Sequence, residues 1–318
     1  MKSFFLFSLF LLGGCFLASS NVIAEDELLI AVVMANSQQR YQDIQAAFTD
    51  GSQAFCGENC RIYVQAPNAD IMSLRNSVRK AVALDADLII TYGPAASLAA
   101  KAESPSIPTL FADVYDPVGL GLVSGKTHTG RNMTGIRGDA PVQTLFKYFV
   151  ETTKAQKLAV LYDLNSPEGN LQKKVLEDSG RRKGVLIVPL VVENQKDHIS
   201  PLEGLPDDAE GLFLASSEHE GNYLDRVLKF ASDRQLPVIS QRASAAEAGA
   251  FMVLETSAVE QGKKLAEMAG EILTGKKTDD LRMYVPRDVA FVVNMKVAKE
   301  YGIQVTFQTL SVASRVVQ

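Results

Sequence analysis

The sequence predicts an α/β protein made of two doubly wound parallel-sheet lobes, joined by a hinge that the chain crosses more than once. Three observations carry this reading. Continuous apolar runs such as "LLIAVVMA", Leu28 to Ala35, suit strands buried on both faces, as in a parallel sheet. These runs alternate with segments whose apolar residues recur at helical spacing, which is the β-α-β rhythm of a doubly wound sheet. The rhythm occurs twice in 318 residues, a length that accommodates two domains of about 150 residues each.

The first 24 residues stand apart. Lys2 precedes "FFLFSLFLLGGCFLA", an apolar stretch too short to span a membrane comfortably, which gives way to small residues and then to acidic "EDE". That is the composition of a secretory signal peptide, residues 1–24. Cleavage after "VIA" at Ala24 fits a small-residue site, while "LGGC", Leu12 to Cys15, also resembles the lipobox at which bacterial lipoproteins are cut and acylated, here on Cys15. No other run is long and apolar enough for a membrane span.

The first lobe is assigned to residues 25–140. After the opening strand, Ile44, Ala47, Phe48, Gly51 and Phe55 fall at helical spacing. Strand "IYVQA" follows from Ile62, then a helix from Asp70 with Ile71, Leu74, Val78 and Val82 on one face, strand "DLIITY", a helix from Pro94 and strand "TLFADV" from Thr109. "SGKTHTGRNMTGIRGDAP" is rich in Gly and Thr without periodicity and reads as the first crossover. The second lobe, 141–251, repeats the pattern: helix "PVQTLFKYFVE", strand "KLAVLYD", a helix after Pro167, strand "VLIVPLVV", a short helical piece near Leu202, strand "GLFLAS", helix "YLDRVLKFASDR" and strand "PVIS". Strand "AFMVLE" and a helix from Ser257 to Leu273, stopped by Gly275, are expected to complete lobe one over about 252–288. Strand "VAFVVN", helix "MKVAKEYG" and amphipathic "LSVASRVV" complete lobe two over about 289–318.

Composition excludes some functions. Removing the leader takes Lys+Arg from 32 to 31 against 37 acidic residues, a net charge of −6, which argues against a nucleic-acid partner. Export would leave Cys56 and Cys60 of "CGENC" as an even pair in an oxidising compartment, so a small-loop disulfide is expected. Half of a metal site is the other reading of such a pair, but no second Cys or His pair lies at ligand spacing, and no metal or cofactor is predicted. His128, His198 and His219 are scattered, no G-x-S-x-G is present, and "GEILTGKKT" fails as a phosphate loop because Lys277 stands where Ser or Thr is required. These features predict no enzyme.

Ligands of open α/β sheets bind beyond the carboxyl ends of the strands. Those ends hold Asn36 and Ser37; Thr91, Tyr92 and Pro94; Asp113, Tyr115 and Asp116 of "DVYDPVGLGLV"; Asn165 and Ser166; Ser216, Ser217 and Glu218; and Glu255 with Thr256. Tyr92 and Tyr115 can stack on a ligand or pack at the hinge. Asp116 can meet a ligand or merely shape the turn before Pro117. Glu218 can meet a cation or belong to an exposed loop.

"IPTLFADVYDPVGLGLV" followed by "GRNMTGI", with "ADLIITYGPAAS" upstream and "KLAVLYDLNSPEGN" and "GAFMVLETSAVEQGKKLAEMAGEILTGKK" downstream, resembles the ABC-transporter substrate-binding family with the type I periplasmic-binding-protein fold. The resemblance runs from about Leu28 to Val317 as several ordered motifs. It implies two lobes joined by three crossings, closing on one small molecule without chemistry and presenting it to an ABC permease in the inner membrane. It also implies ligand-lining positions at Thr91, Pro94, Ala95, Asp113, Tyr115, Asp116, Asn165, Ser166 and Asn170, and amino acids, notably aromatic ones, as associated ligands. The chain departs from the family where "MANSQQRYQD" lacks its His-Pro, where "ASSEHEG" replaces an Asp-Asn, and where "LETSA" replaces YGVDY. The expectation is a monomeric periplasmic solute-binding protein of a bacterial importer. Its alternative is an envelope sensor or regulatory protein that uses the same fold to bind a protein.

Overall fold

The apolar run that follows the predicted leader becomes β1 (Leu28–Met34), six of whose seven residues are buried. Parallel neighbours on both sides, β2 (Cys60–Gln65) and β3 (Leu88–Tyr92), account for that burial. The computed structural model describes residues 27–57, 59–125, 132–138, 140–194, 197–216 and 223–318. The leader expected at residues 1–24, with the two cleavage sites expected in it, and Ser217 and Glu218 lie outside these. Among the described residues, helices α1 (Gln39–Cys56), α2 (Ile71–Ala83) and α3 (Pro94–Glu103) connect the strands of a five-stranded parallel sheet. β4 (Thr109–Val114) and β5 (Met133–Arg137) complete it, in the order β2-β1-β3-β4-β5.

β5 sits inside the stretch that sequence periodicity assigns to a crossover. It is short, and a Cβ on Gly135 would lie 2.0 Å from the Phe111 carbonyl oxygen. Close backbone approach, rather than an apolar run, seats this strand, so it leaves little hydrophobic signal.

The second lobe opens with α4 (Val142–Thr153), which buries Val142, Leu145, Phe146 and Phe149 at helical spacing. β6 (Lys157–Asp163), α5 (Pro167–Lys183), β7 (Leu186–Val192), β8 (Leu212–Leu214), α6 (Tyr223–Ser232), β9 (Val238–Ser240) and β10 (Met252–Thr256) follow. The sequence reading returns the chain to the first lobe at 252, but β10 pairs with β9, aligning Met252 with Ile239, and so belongs to the second sheet. The next element makes the return: α7 (Ala258–Leu273) packs Leu265, Ala266, Met268 and Ala269 into the first lobe's core beside Ile44 and Phe48 of α1. β11 (Val289–Asn294), α8 (Met295–Glu300), α9 (Phe307–Ser311) and β12 (Arg315–Val317) end the chain. The final amphipathic segment is therefore divided: Leu310 and Ser311 end α9, and Arg315–Val317 form β12. The second sheet runs β12-β11-β10-β9-β8-β6-β7, parallel except between β10 and β11.

Both faces of this sheet are covered. Phe146, Phe149, Leu176 and Val297 lie in one cluster, and Val227, Leu228 and Ala231 of α6 in another. Helix starts follow their caps: Asp70 accepts from the Ser73 N–H at 2.8 Å, Ser166 from Gly169 at 3.0 Å and Ser257 from Glu260 at 3.2 Å. Among the described residues the chain passes between lobes three times: between β5 and α4, at Ser257, and at 284–288. The last crossing is tied to β5, because Tyr284 exchanges backbone hydrogen bonds with Gly135 and Arg137, each at 2.9 Å. Glu260 holds it from α7, accepting from the Tyr284 hydroxyl at 2.6 Å and from the Asp288 N–H at 2.9 Å. Burial would raise the Glu260 pKa, but these donors outweigh it and hold the carboxyl below its usual range.

Candidate functional site

A cleft of about 620 Å³ is lined from both lobes and the hinge. The first lobe contributes Gln38, Gln39 and Arg40 at the start of α1, and Asp113 at the end of β4. The second contributes Glu168 in the first turn of α5, Ser216 after β8, and Gln241 and Arg242 after β9. Gly138, Glu255, Thr256 and Ser257 come from the crossings. These are strand C-termini and helix N-termini, where backbone donors and short polar loops gather.

On the first-lobe side the dominant feature is an ion pair. Arg40 donates from Nε to Asp113 Oδ2 at 2.7 Å and from Nη2 to Asp113 Oδ1 at 2.6 Å. It also donates to the Thr256 carbonyl at 2.9 Å and to Thr256 Oγ1 at 2.8 Å. Four of the guanidinium's five N–H donors are thereby used. Gln261 of α7 completes the knot: its Nε2 donates to Asp113 Oδ1 at 3.1 Å and to Thr256 Oγ1 at 3.0 Å, while its Oε1 accepts the Asp113 N–H at 2.9 Å. That contact holds Asp113 at φ 57°, in the left-handed region that non-glycine residues seldom enter. Burial by itself would lower the Arg40 pKa, but the charge and hydrogen bonds of Asp113 reverse that effect and hold the guanidinium charged. The arrangement pins the start of α1 to the end of β10, a strand of the other sheet.

Fully buried Gln172 organises the second-lobe side. Its Nε2 donates to Ser216 Oγ at 2.9 Å and to Gln241 Oε1 at 3.0 Å, and its Oε1 accepts the Ser216 N–H at 2.8 Å. Arg242 lies over the Tyr223 ring, 5.1 Å from its centroid, and donates to the Tyr223 hydroxyl. Arg315 pairs with Glu247. Among the described residues no group of His, Cys, Asp and Glu is placed to hold a metal ion.

Of the described residues singled out from sequence, the structure brings Asp113, Ser216, Glu255 and Thr256 into the cleft. The others do structural work in this conformation. Asn36 is buried and accepts the Gln38 N–H at 2.9 Å, and the Ser37 carbonyl accepts from Gln42 at 2.8 Å, so both shape the entry to α1. Thr91 is fully buried and shares a hydrogen bond with Ser97 at 2.9 Å. Tyr92 is fully buried, donates to Gln45 at 2.8 Å and stacks on Tyr41 with ring centroids 6.3 Å apart; burial pushes its hydroxyl pKa up. Pro94 is the buried first residue of α3 and Ala95 follows it, half-buried. Tyr115 is buried in the second lobe's core, the hinge-packing alternative. Asp116 accepts the Gly119 N–H at 3.0 Å, which closes the turn after Pro117. Asn165 donates its N–H to Asp163 at 2.8 Å, Ser166 caps α5, and Asn170 donates to the carbonyls of Leu164 and Ser166 at 2.8 and 2.7 Å.

Sequence reasoning missed Arg40, Gln241 and Arg242. Arg40 lies within "MANSQQRYQD", the stretch that departs from the family pattern, and that departure is the one signal that pointed to it. Gln241 and Arg242 directly follow strand "PVIS", so the strand-end rule applied there would have included them.

The fold and part of the sequence have counterparts among known proteins. A curated "Tyrosine-binding protein" of Clostridioides difficile is 23% identical over 249 residues, covering 78% of this chain and 72% of its own. The crystal structure of a conserved domain protein from Vibrio cholerae superposes with a TM-score of 0.85 at 20% identity, covering 91% of this chain and 99% of that one. An ABC domain from Streptococcus pneumoniae in complex with L-Trp gives a TM-score of 0.83 at 19% identity, covering 91% and 100%. A ligand-free, open substrate binding protein with adhesive properties from Clostridium difficile gives 0.71 at 21%, covering 92% and 99%. At such identities the structures establish the two-lobed fold of type I periplasmic binding proteins. The relatives named for tyrosine binding and for substrate binding are binding proteins, not enzymes. The profile of the family described as ABC transporter substrate binding protein matches residues 30–317, and with that match over most of the 318 residues, the protein belongs to this family.

Proposed function

We propose that the protein is the ligand-capturing component of a bacterial ABC importer, working outside the cytoplasmic membrane and closing its two lobes on an amino acid or a related small molecule. The observation that carries this reading is the cleft between strand ends of two lobes joined by three crossings, a geometry in which hinge bending alone opens and shuts the site. The relatives named for tyrosine and in complex with L-Trp direct attention to aromatic amino acids. In this reading the leader is removed after Ala24, or the chain is anchored through Cys15, and the closed, loaded form meets the permease as a monomer. No described helix is long and apolar enough to cross a membrane.

The test is thermal unfolding of the protein with and without amino acids, amines, sugars, nucleosides and vitamins, read with an external dye because the chain has no Trp. A ligand at about 100 times its Kd adds roughly 2.7 kcal/mol, which shifts the midpoint by several degrees. The expected result is a shift with aromatic amino acids. A panel that leaves the midpoint unmoved, with calorimetric titration also silent, would defeat the proposal.

Export also bears on Cys56 and Cys60, whose Cα atoms stand 5.0 Å apart with the sulfurs together. The proposal pairs them as a disulfide that ties the end of α1 to the start of β2. The closed loop is short, with a sequence separation of 4, so reduction is expected to cost about 2 kcal/mol. Alkylation of the exported, unreduced protein should label neither cysteine; two labelled thiols would sink the pairing.

A further inference from the structure

The charges that line the cleft do not balance. Asp43, Asp113, Glu168, Glu247, Glu255 and Asp288 face Arg40, Arg242 and Arg315. Internal pairing takes up the cations: Arg40 is committed to Asp113 and Thr256, Arg315 pairs with Glu247, and Arg242 lies on Tyr223. Asp43, Glu168, Asp288 and Glu255 stand outside this pairing, and the one among them with a buried, undonated side-chain oxygen is Glu255. It stands near the end of β10 opposite Ala290 of β11, another residue of the cleft wall. Its Oε2 is shut off from solvent and, among the described residues, has no hydrogen-bond partner. A buried carboxylate oxygen without a donor is costly to the fold, and a donor brought by a ligand removes that cost.

From this geometry we infer that Glu255 is the cleft's receptor for a cationic nitrogen, so the ligand carries an ammonium group, as a free amino acid or an amine does. The inference rests on the binding-protein reading above and narrows its ligand class. Zwitterionic amino acids and simple amines qualify; neutral sugars and carboxylates do not.

The electrostatics supply an independent signature. Burial has the largest influence on Glu255 and pushes its pKa above the usual carboxylate range; the charges of Arg40 and Arg315 pull it back, and Glu247 adds to the rise. A group whose folded pKa is raised contributes stability below its unfolded pKa and loses it as pH rises through the folded value. Wherever the pH ionises Glu255 without a ligand, the charge works against the fold, and the neutral, near-isosteric Gln removes that penalty. Glu255→Gln is expected to raise the melting temperature of the ligand-free protein while weakening a cationic ligand by about tenfold or more. A residue with only a structural role would not move stability and affinity in opposite directions.

The experiment titrates the protein and its E255Q variant calorimetrically with L-tyrosine, L-tryptophan, tyramine and the deaminated 3-(4-hydroxyphenyl)propanoate, alongside the remaining amino acids, putrescine and neutral sugars. Binding confined to compounds with an ammonium group, and lost by about tenfold or more in E255Q, supports the assignment. A compound without a cationic nitrogen that binds as tightly as its aminated counterpart overturns it, as does a bound amine whose affinity E255Q leaves unchanged. Either of those results leaves the binding-protein reading standing. Silence from the whole panel overturns both.

Discussion

Arg40→Ala is expected to destabilise the protein by about 3 kcal/mol, at the low end for breaking a buried ion pair because the two side chains retain 19% and 13% of their exposure. The loss falls mainly on Asp113. With the guanidinium gone, its carboxylate keeps the Gln261 amide at 3.1 Å but no opposing charge, and its backbone stays in the left-handed region. Thr256 also loses two of its donors. The midpoint should fall by roughly 6 °C. Arg40→Lys should recover only part of this, because an ammonium cannot form the two-pronged contact that places Nε and Nη2 on the two oxygens of Asp113. The double replacement of Arg40 and Asp113 by Ala should cost less than the sum of the singles, since it removes the orphaned charge together with its partner. An Arg40→Ala protein within about 0.5 kcal/mol of the parent, the range of ordinary surface changes, would show that the pair holds nothing together.

Gly262→Ala is the second large effect, and its sign is diagnostic. In an exposed helix, replacing Gly with Ala gains about 1 kcal/mol. At position 262 the added methyl would sit 2.4 Å from the Ile44 carbonyl oxygen, 2.6 Å from Ala47 Cβ and 2.9 Å from the Phe48 nitrogen. Two of these are backbone atoms of α1, which no rotamer change can move aside. The helices must part, and α1 with α7 forms the cover of the first lobe. We expect a loss of about 3 kcal/mol, the upper end for overpacking a core, measured by denaturant unfolding of the parent and variant proteins. A neutral or stabilised variant would mean that α7 is not seated on α1 as described.

The two lobes were legible because buried parallel strands write themselves as unbroken apolar runs. β1, β3 and β6 are such runs, and Asp70 and Ser257 marked the starts of the helices that they cap. β5 was not legible, since its place depends on Gly135 meeting the Phe111 backbone, a contact that carries no hydrophobic signal. The lobe to which β10 belongs was equally hidden, because apolarity says that a strand is buried but not between which neighbours. For the site, the strand-end rule found Asp113, Ser216, Glu255 and Thr256, residues whose position in the fold follows from local pattern. It could not find Arg40, which reaches Asp113 across 73 positions of sequence. It also could not separate Asp116, which closes a turn, from Asp113, which faces the cleft, since both are acids in one loop.

The threading of α7 into the first lobe also dictates the order in which the molecule can be finished. Ile44, Ala47 and Phe48 of α1 leave a ribosome long before the helix that covers them, which spans residues 258–273. The second sheet waits longer still, for strands that end at Val317. Isolated β-α-β pieces can collapse early, but neither lobe has its complete set of neighbours until nearly the whole polypeptide is available, so the two mature late and together. A chain cut short before residue 258 is therefore not one good lobe and one damaged one. It is a protein with the flank of α1 laid bare, and such an exposed apolar face is a route to aggregation.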